Sequence, residues 1–209
     1  KVALMRVSLL ATALASVLLL AACAAPERRA ASAPSTRPPV VQEAIVEAFP
    51  MPSPAPRGVF ERISRLAPDL DPGVLALALE ARACALRNRE VGDDAKLAVI
   101  DYSRPSTQKR LWVFDMARDA LLFHEHVAHG SGTGDNLARR FSNEDGSHAT
   151  SLGLFRTAET YQGGNGYSLR LDGLDAGFND RARSRAIVMH GAWYVNPDLI
   201  RTQGRLGRS

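Results

Sequence analysis

Leu97-Ala98-Val99-Ile100-Asp101-Tyr102, Arg110-Leu111-Trp112-Val113-Phe114-Asp115 and Leu121-Leu122-Phe123-His124-Glu125-His126-Val127-Ala128 are three short runs rich in apolar, β-branched and aromatic side chains. Arg104-Pro105-Ser106 and Ala117-Arg118-Asp119 separate them, so the spacing predicts a β-meander. Downstream, 10 of the 16 glycines fall between Gly130 and Gly177, so loops dominate there, with strand-like pieces only at Leu152–Thr157 and Tyr167–Leu171. Functional side chains concentrate on loops that strands hold in place. Ala186–His190 is a last apolar strand, ending in a histidine followed by Gly191.

Upstream of the meander the period changes from two to that of a helix. Val59, Phe60, Ile63, Leu66 and Ala67 form one apolar stripe that Pro68 stops. Asp71 then reads as an N-cap with Pro72 at the first helical position, opening a second helix through Leu75, Leu79 and Ala83 to Arg87 and Arg89, with Gly92 ending it. Cys84 lies in that helix among Ala81, Ala85 and Leu86 and is expected to be a small buried hydrophobe rather than a nucleophile. Residues 59–95 are thus a helical segment and 96–209 a β-rich domain, a β-rich α+β chain.

The 209 residues are 45% hydrophobic and 23% charged, a globular composition, and two cysteines exclude a disulfide scaffold or a four-cysteine zinc module. Lys1 and Arg6 flank the start of the apolar stretch Val7–Leu20, the design of a secretory signal, which ends in Leu20-Ala21-Ala22-Cys23. That ending resembles a bacterial lipobox, so residues 1–22 are expected to be removed and Cys23 to carry lipid. The formal charge of +4 then falls by two to +2, too small to argue for a nucleic-acid partner. Eight of the 12 prolines lie between Pro26 and Pro56, so 23–58 reads as an extended tether, interrupted by a short helical pattern over 41–49. The expectation is a periplasm-facing envelope lipoprotein, held to the membrane through its anchor.

Several constellations carry side chains suited to chemistry. His124 and His126 are two apart and share one face of a strand, so with His190 they could form a zinc site; surface or hydrogen-bonded histidines are the favoured reading. Gly130-Ser131-Gly132-Thr133-Gly134 lacks the Gly-Lys-Ser/Thr of a phosphate loop and reads as a flexible loop. Arg181, Arg183 and Arg185 alternate with Ala182 and Ser184 and read as a solvated strand edge. No G-x-S-x-G elbow is present.

The strongest constellation is C-terminal: Ile187-Val188-Met189-His190-Gly191-Ala192-Trp193-Tyr194-Val195, then Gly204-Arg205-Leu206-Gly207-Arg208-Ser209. It resembles the catalytic domain of the murein L,D-transpeptidases (YkuD-like), whose His-Gly-Ala is followed by Gly-Arg-Ser-x-Gly-Cys. Further similarity runs from Ile100 onward through Leu111-Trp112-Val113, Val127-Ala128-His129-Gly130, Phe141-Ser142-Asn143, Ser151-Leu152-Gly153 and Tyr167–Leu174. The resemblance implies a mostly antiparallel, sandwich-like domain acting without cofactor or metal on peptidoglycan stem peptides, through a cysteine acyl-enzyme. His190 would be the base and Ser209 the serine beside the nucleophile, with Gly191, Trp193 and Arg208 at the substrate. Ser151 would border the cleft, although the family has proline there. The family cysteine falls three positions beyond Ser209. The chain, which opens on Lys rather than Met, is therefore expected to be a piece of a longer one, inactive as it stands. A noncatalytic wall-binding lipoprotein that keeps the fold is the alternative.

Overall fold

The computed structural model describes residues 57–93 and 96–208. The signal segment, Cys23, the tether with its short helical pattern, and Ser209 lie outside the described residues. Helix α1 spans Arg57–Leu66 and turns Ile63 fully inward; it stops two residues before Pro68, whose ring disfavours helical backbone in the residue ahead of it. Helix α2 spans Pro72–Arg87, and the Asp71 carboxylate accepts from the Gly73 and Val74 N–H groups at 2.8 and 3.0 Å, satisfying donors that a helix start leaves bare.

The first sheet consists of β1 (Lys96–Ile100), β2 (Leu111–Asp115) and β3 (Ala120–Glu125), antiparallel in the order β1-β2-β3, with a register shift between Val113 and Phe114. The meander is observed. Trp112 and Phe114 of the central strand are completely buried, in one apolar cluster with Ile63, Ala67, Leu70, Leu75, Leu79, Leu97 and Val99. Burying an aromatic or aliphatic side chain of this size stabilises by about 1.5–3 kcal/mol. The helical segment and the first sheet therefore share one core.

The second sheet consists of β4 (Phe155–Gly163), β5 (Gly166–Gly173) and β6 (Val188–His190), again antiparallel and in sequence order. Gly164-Asn165 closes the β4–β5 hairpin. The last strand is shorter than the apolar run suggests, because Ala186 takes a left-handed φ of 54° and the Ile187 N–H turns back to the Ala182 carbonyl. A third helix, α3 (Pro197–Gln203), follows, capped by the Asn196 side chain on the Asp198 N–H at 2.8 Å.

Three expectations are corrected. Cys84 is exposed on α2, its sulfur 3.8 Å from Asn88 Nδ2, because a helix of alanine and leucine offers too little polar contrast to say which side turns inward. The glycine-rich loop is packed and hydrogen-bonded: the Gly132 N–H donates to the His148 carbonyl at 2.8 Å, and a β-carbon at Gly132 would stand 2.1 Å from the Ser147 carbonyl oxygen. The arginine run is no strand edge. It lies in turns, and Arg185 points inward, where its two terminal nitrogens donate to the Ser142 and Ala149 carbonyls and to the Ser151 and Ser147 hydroxyls at 2.6–2.9 Å.

Candidate active site

His190 ends β6, directly opposite Ser168 of β5, which itself stands opposite Tyr161 of β4. Residues directly opposed across antiparallel strands share a face, so Tyr161, Ser168 and His190 make one row across the sheet. The His190 Nδ1 lies 2.8 Å from the Gly191 carbonyl oxygen. A carbonyl only accepts, so Nδ1 carries the proton and, in the neutral ring, Nε2 is left with its lone pair. The contact thereby fixes the tautomer that can take a proton at Nε2. Gly191 is exposed, with open space where a β-carbon would be, so nothing on that residue crowds the imidazole.

Trp193 follows on the outside. It is 83% exposed, touching Tyr194 edge to face at 5.7 Å between centroids, and Tyr194 in turn meets His190 edge to face at 6.4 Å. That exposure leaves Trp193 outside the core.

The C-terminal run returns to the same place. The Gly207 N–H donates to the Tyr194 carbonyl at 3.0 Å, so close that a β-carbon on residue 207 would lie 2.3 Å from the Tyr194 β-carbon. Only glycine fits there. Leu206 is buried, and its N–H donates to the Ser106 hydroxyl at 3.1 Å, which donates in turn to the Asn136 side chain at 3.0 Å. Arg208 donates to the Gly134 carbonyl at 3.1 Å and pairs with Asp135 at 3.0 Å. The segment leading to position 209 is thus docked beside Tyr194, two contacts from His190.

His129 braces this docking loop from beneath. It is 3% exposed, and its Nδ1 lies 2.8 Å from the Arg110 guanidinium, itself fully buried, while Nε2 lies 3.2 Å from the Gly134 carbonyl. Guanidinium has only donors, so Nδ1 accepts and Nε2–H donates: the ring is neutral. Burial first, and Arg110 next, hold its pKa below the usual imidazole range.

The other candidates lie elsewhere. Ser151 is 3% exposed, its hydroxyl accepting from Arg185 at 2.6 Å and donating to the Ser142 carbonyl at 2.9 Å, so it braces a loop and its oxygen is already engaged. His124 stacks on Trp112 at 4.9 Å, and His126 lies past the end of β3 at 3.3 Å from the Thr107 carbonyl. Among the described residues no group of three His, Cys, Asp or Glu side chains comes together. Tyr194, like Trp193, is a donor-groove candidate in the sequence, whereas Ser168, Ser106 and Asn136 have no role assigned there; the Asn136 role has no local signature, since its partner is 30 positions away.

Against this geometry, the L,D-transpeptidase catalytic domain family model matches residues 66–209. The chain belongs to the L,D-transpeptidase catalytic domain family. No curated protein and no solved structure gives a match. The family match starts at Leu66, well upstream of the motif similarity that begins at Ile100, and so takes in α2. That extent takes in α2 and the first sheet of the shared core and leaves out all of α1 but its last residue. Among the described residues, no helix of this L,D-transpeptidase family member is long and apolar enough to cross a membrane.

Proposed function

We propose that the protein is a peptidoglycan L,D-transpeptidase acting through a cysteine acyl-enzyme, with His190 as its base. The observation that carries this reading is the His190–Gly191 contact, which leaves Nε2 as the free acceptor on a half-buried ring. The nucleophile is the cysteine that the family pattern puts three positions after Ser209. Nε2 takes the thiol proton, and the thiolate attacks the carbonyl at the L-centre of diaminopimelate. The carbon–nitrogen bond to the terminal D-alanine breaks as His190 returns the proton to the leaving amine. An amine of a neighbouring stem then attacks the thioester, the carbon–sulfur bond breaks, and the thiol is restored. Ser209 lies beside the nucleophile, and Gly191, Trp193 and Arg208 flank the stem peptide, Arg208 through the loop it fastens. Ser151 acts by bracing the 142–151 loop through Arg185.

The same reading gives the domain the family's sandwich-like fold. It also makes Cys23 a lipid anchor, holding the domain on the periplasmic side of the envelope by the 23–58 tether.

Reading the gene past the codon for Ser209 and assaying the native-length protein on stem tetrapeptides tests the proposal. A cysteine at the expected place together with 3→3 cross-linked muropeptides is the expected result. No thiol there, with sacculus binding and no cross-links, would instead establish a wall-binding lipoprotein.

A further inference from the structure

The face of the second sheet that bears His190 also bears a cation with unused donors. Arg170 stands opposite Val188, two residues along β5 from the Ser168 that faces His190. Side chains two apart on a strand share a face, so Arg170 is the diagonal neighbour of His190, their α-carbons about 7–8 Å apart by ordinary sheet geometry, with the guanidinium leaning to the β4 side. Its guanidinium carbon lies 4.3 Å from the centroid of the Tyr161 ring, over the end of the row Tyr161, Ser168, His190.

The surrounding arginines are engaged or farther away. Arg183 donates to Asp172 through Nε and to Glu159 through both terminal nitrogens, at 2.5–3.1 Å. Arg185 is committed to four oxygens and Arg208 to Asp135 and the Gly134 carbonyl. Arg156 sits at the level of Asp172, four residues along β5 from Ser168, and donates to it at 3.1 Å. Arg170 differs from all of these. Only its Nε meets an anion, Glu159 at 3.1 Å, and among the described residues its terminal nitrogens have no hydrogen-bond partner, although the side chain is just 34% exposed. Arg156, Arg170 and Arg183 face two carboxylates, Glu159 and Asp172, so this cluster has one positive charge in excess.

A guanidinium held by its Nε and stacked on an aromatic ring presents its remaining N–H groups as a fixed fork, the geometry that takes a carboxylate through two parallel bonds. We infer that Arg170 is a specificity-determining residue that clamps a carboxylate of the donor stem bound beside His190. This rests on the transpeptidase reading above. A donor stem offers such a group on the diaminopimelate side chain and on the terminal alanine, and the chemistry of recognition is the same for both.

The native-length protein, as wild type, Arg170→Gln and Glu159→Gln, is assayed with three tetrapeptide donors: the free acid, the acid amidated on the diaminopimelate side chain, and the acid amidated on the terminal alanine. Arg170→Gln is expected to raise KM for the free acid about tenfold, the size of one lost charge-assisted bond pair, with the effect on KM rather than kcat. The amidated donor on which wild type and variant have equal KM identifies the carboxylate. Glu159→Gln, which releases the Nε that fixes the fork, is expected to raise KM for the free acid by less than Arg170→Gln does, and it carries the test should Arg170→Gln not fold. An unchanged KM in either folded variant, or an equal loss on all three donors, overturns the inference. Wild type that turns over none of the donors refutes the transpeptidase reading itself, a different result from turnover without charge discrimination.

Discussion

The two sheets are stabilised by different physics. Around β1–β3 and the two long helices, the buried residues are mostly apolar and the central strand is buried on both faces except for the half-buried Val113. In β4–β6, β4 has no buried residue and β5 only Ser168, and the loops around them are tied by Arg185, Asn179 and Asp175 to backbone groups. Hydrophobic burial is non-directional and tolerates sliding, whereas hydrogen bonds fix positions. The half that carries His190 is the half held by directional bonds, which suits a site that has to present Nε2 at one place.

Substitutions can break this contrast. The largest effect is expected in the first half. Trp112→Ala removes a fully buried ring and should cost about 3–5 kcal/mol in urea unfolding, and a loss under 1 kcal/mol would show that the helices and sheet do not share a core. Arg185→Leu leaves two carbonyls and two hydroxyls without their donor; about 1–3 kcal/mol should be lost, with faster amide exchange confined to residues 142–151. Protection unchanged over that segment would contradict the assignment.

Third in size is a pH effect at His129, which faces Arg110, Tyr102 and Arg208 besides the Gly134 carbonyl. Its pKa is lower folded than unfolded, so the unfolded chain binds the proton first. The stability His129 contributes is present above its ordinary pKa of 6.5 and is lost as pH falls below that value. Urea midpoints at pH 7.5 and 5.5 should drop more in wild type than in His129→Gln. Equal drops would place a charged imidazole in the fold.

The smallest effect belongs to the exposed Arg183 cluster. Asp172 is lowered to about 2 by its bonds to Arg183 and then Arg156, so its contribution is full above the ordinary value of 3.8 and is lost as the pH falls from there toward 2. Arg183→Ala should shift the melting temperature least of the four, and 0.5 M salt should erase the difference from wild type. A shift that survives salt would mean that the arginine acts through packing.

What was legible in the sequence follows the same division. The strands of the first sheet and both long helices could be read because apolar periodicity and the Asp71-Pro72 cap act locally. Helix α3 carried comparable signals, Asn196 and Pro197 before it and Gly204 in the left-handed conformation after it, yet its single apolar pair, Leu199-Ile200, gave no periodic stripe. Arg185 was misread because alternation is the same whether a segment is a strand or a series of turns. The inward turn of its side chain depends on oxygens 34 to 43 positions away. His190 stood out through its motif, but the register that sets it in a row with Ser168, Tyr161 and Arg170 is a property of strand pairing alone.

The most direct test of the account is the kcat/KM of native-length protein on a stem tetrapeptide, compared between wild type and His190→Ala. A proton-free Nε2 acting as general base predicts a loss of about 10²–10⁴-fold with a nearly unchanged melting temperature. Activity within threefold of wild type would show that the proton is taken elsewhere.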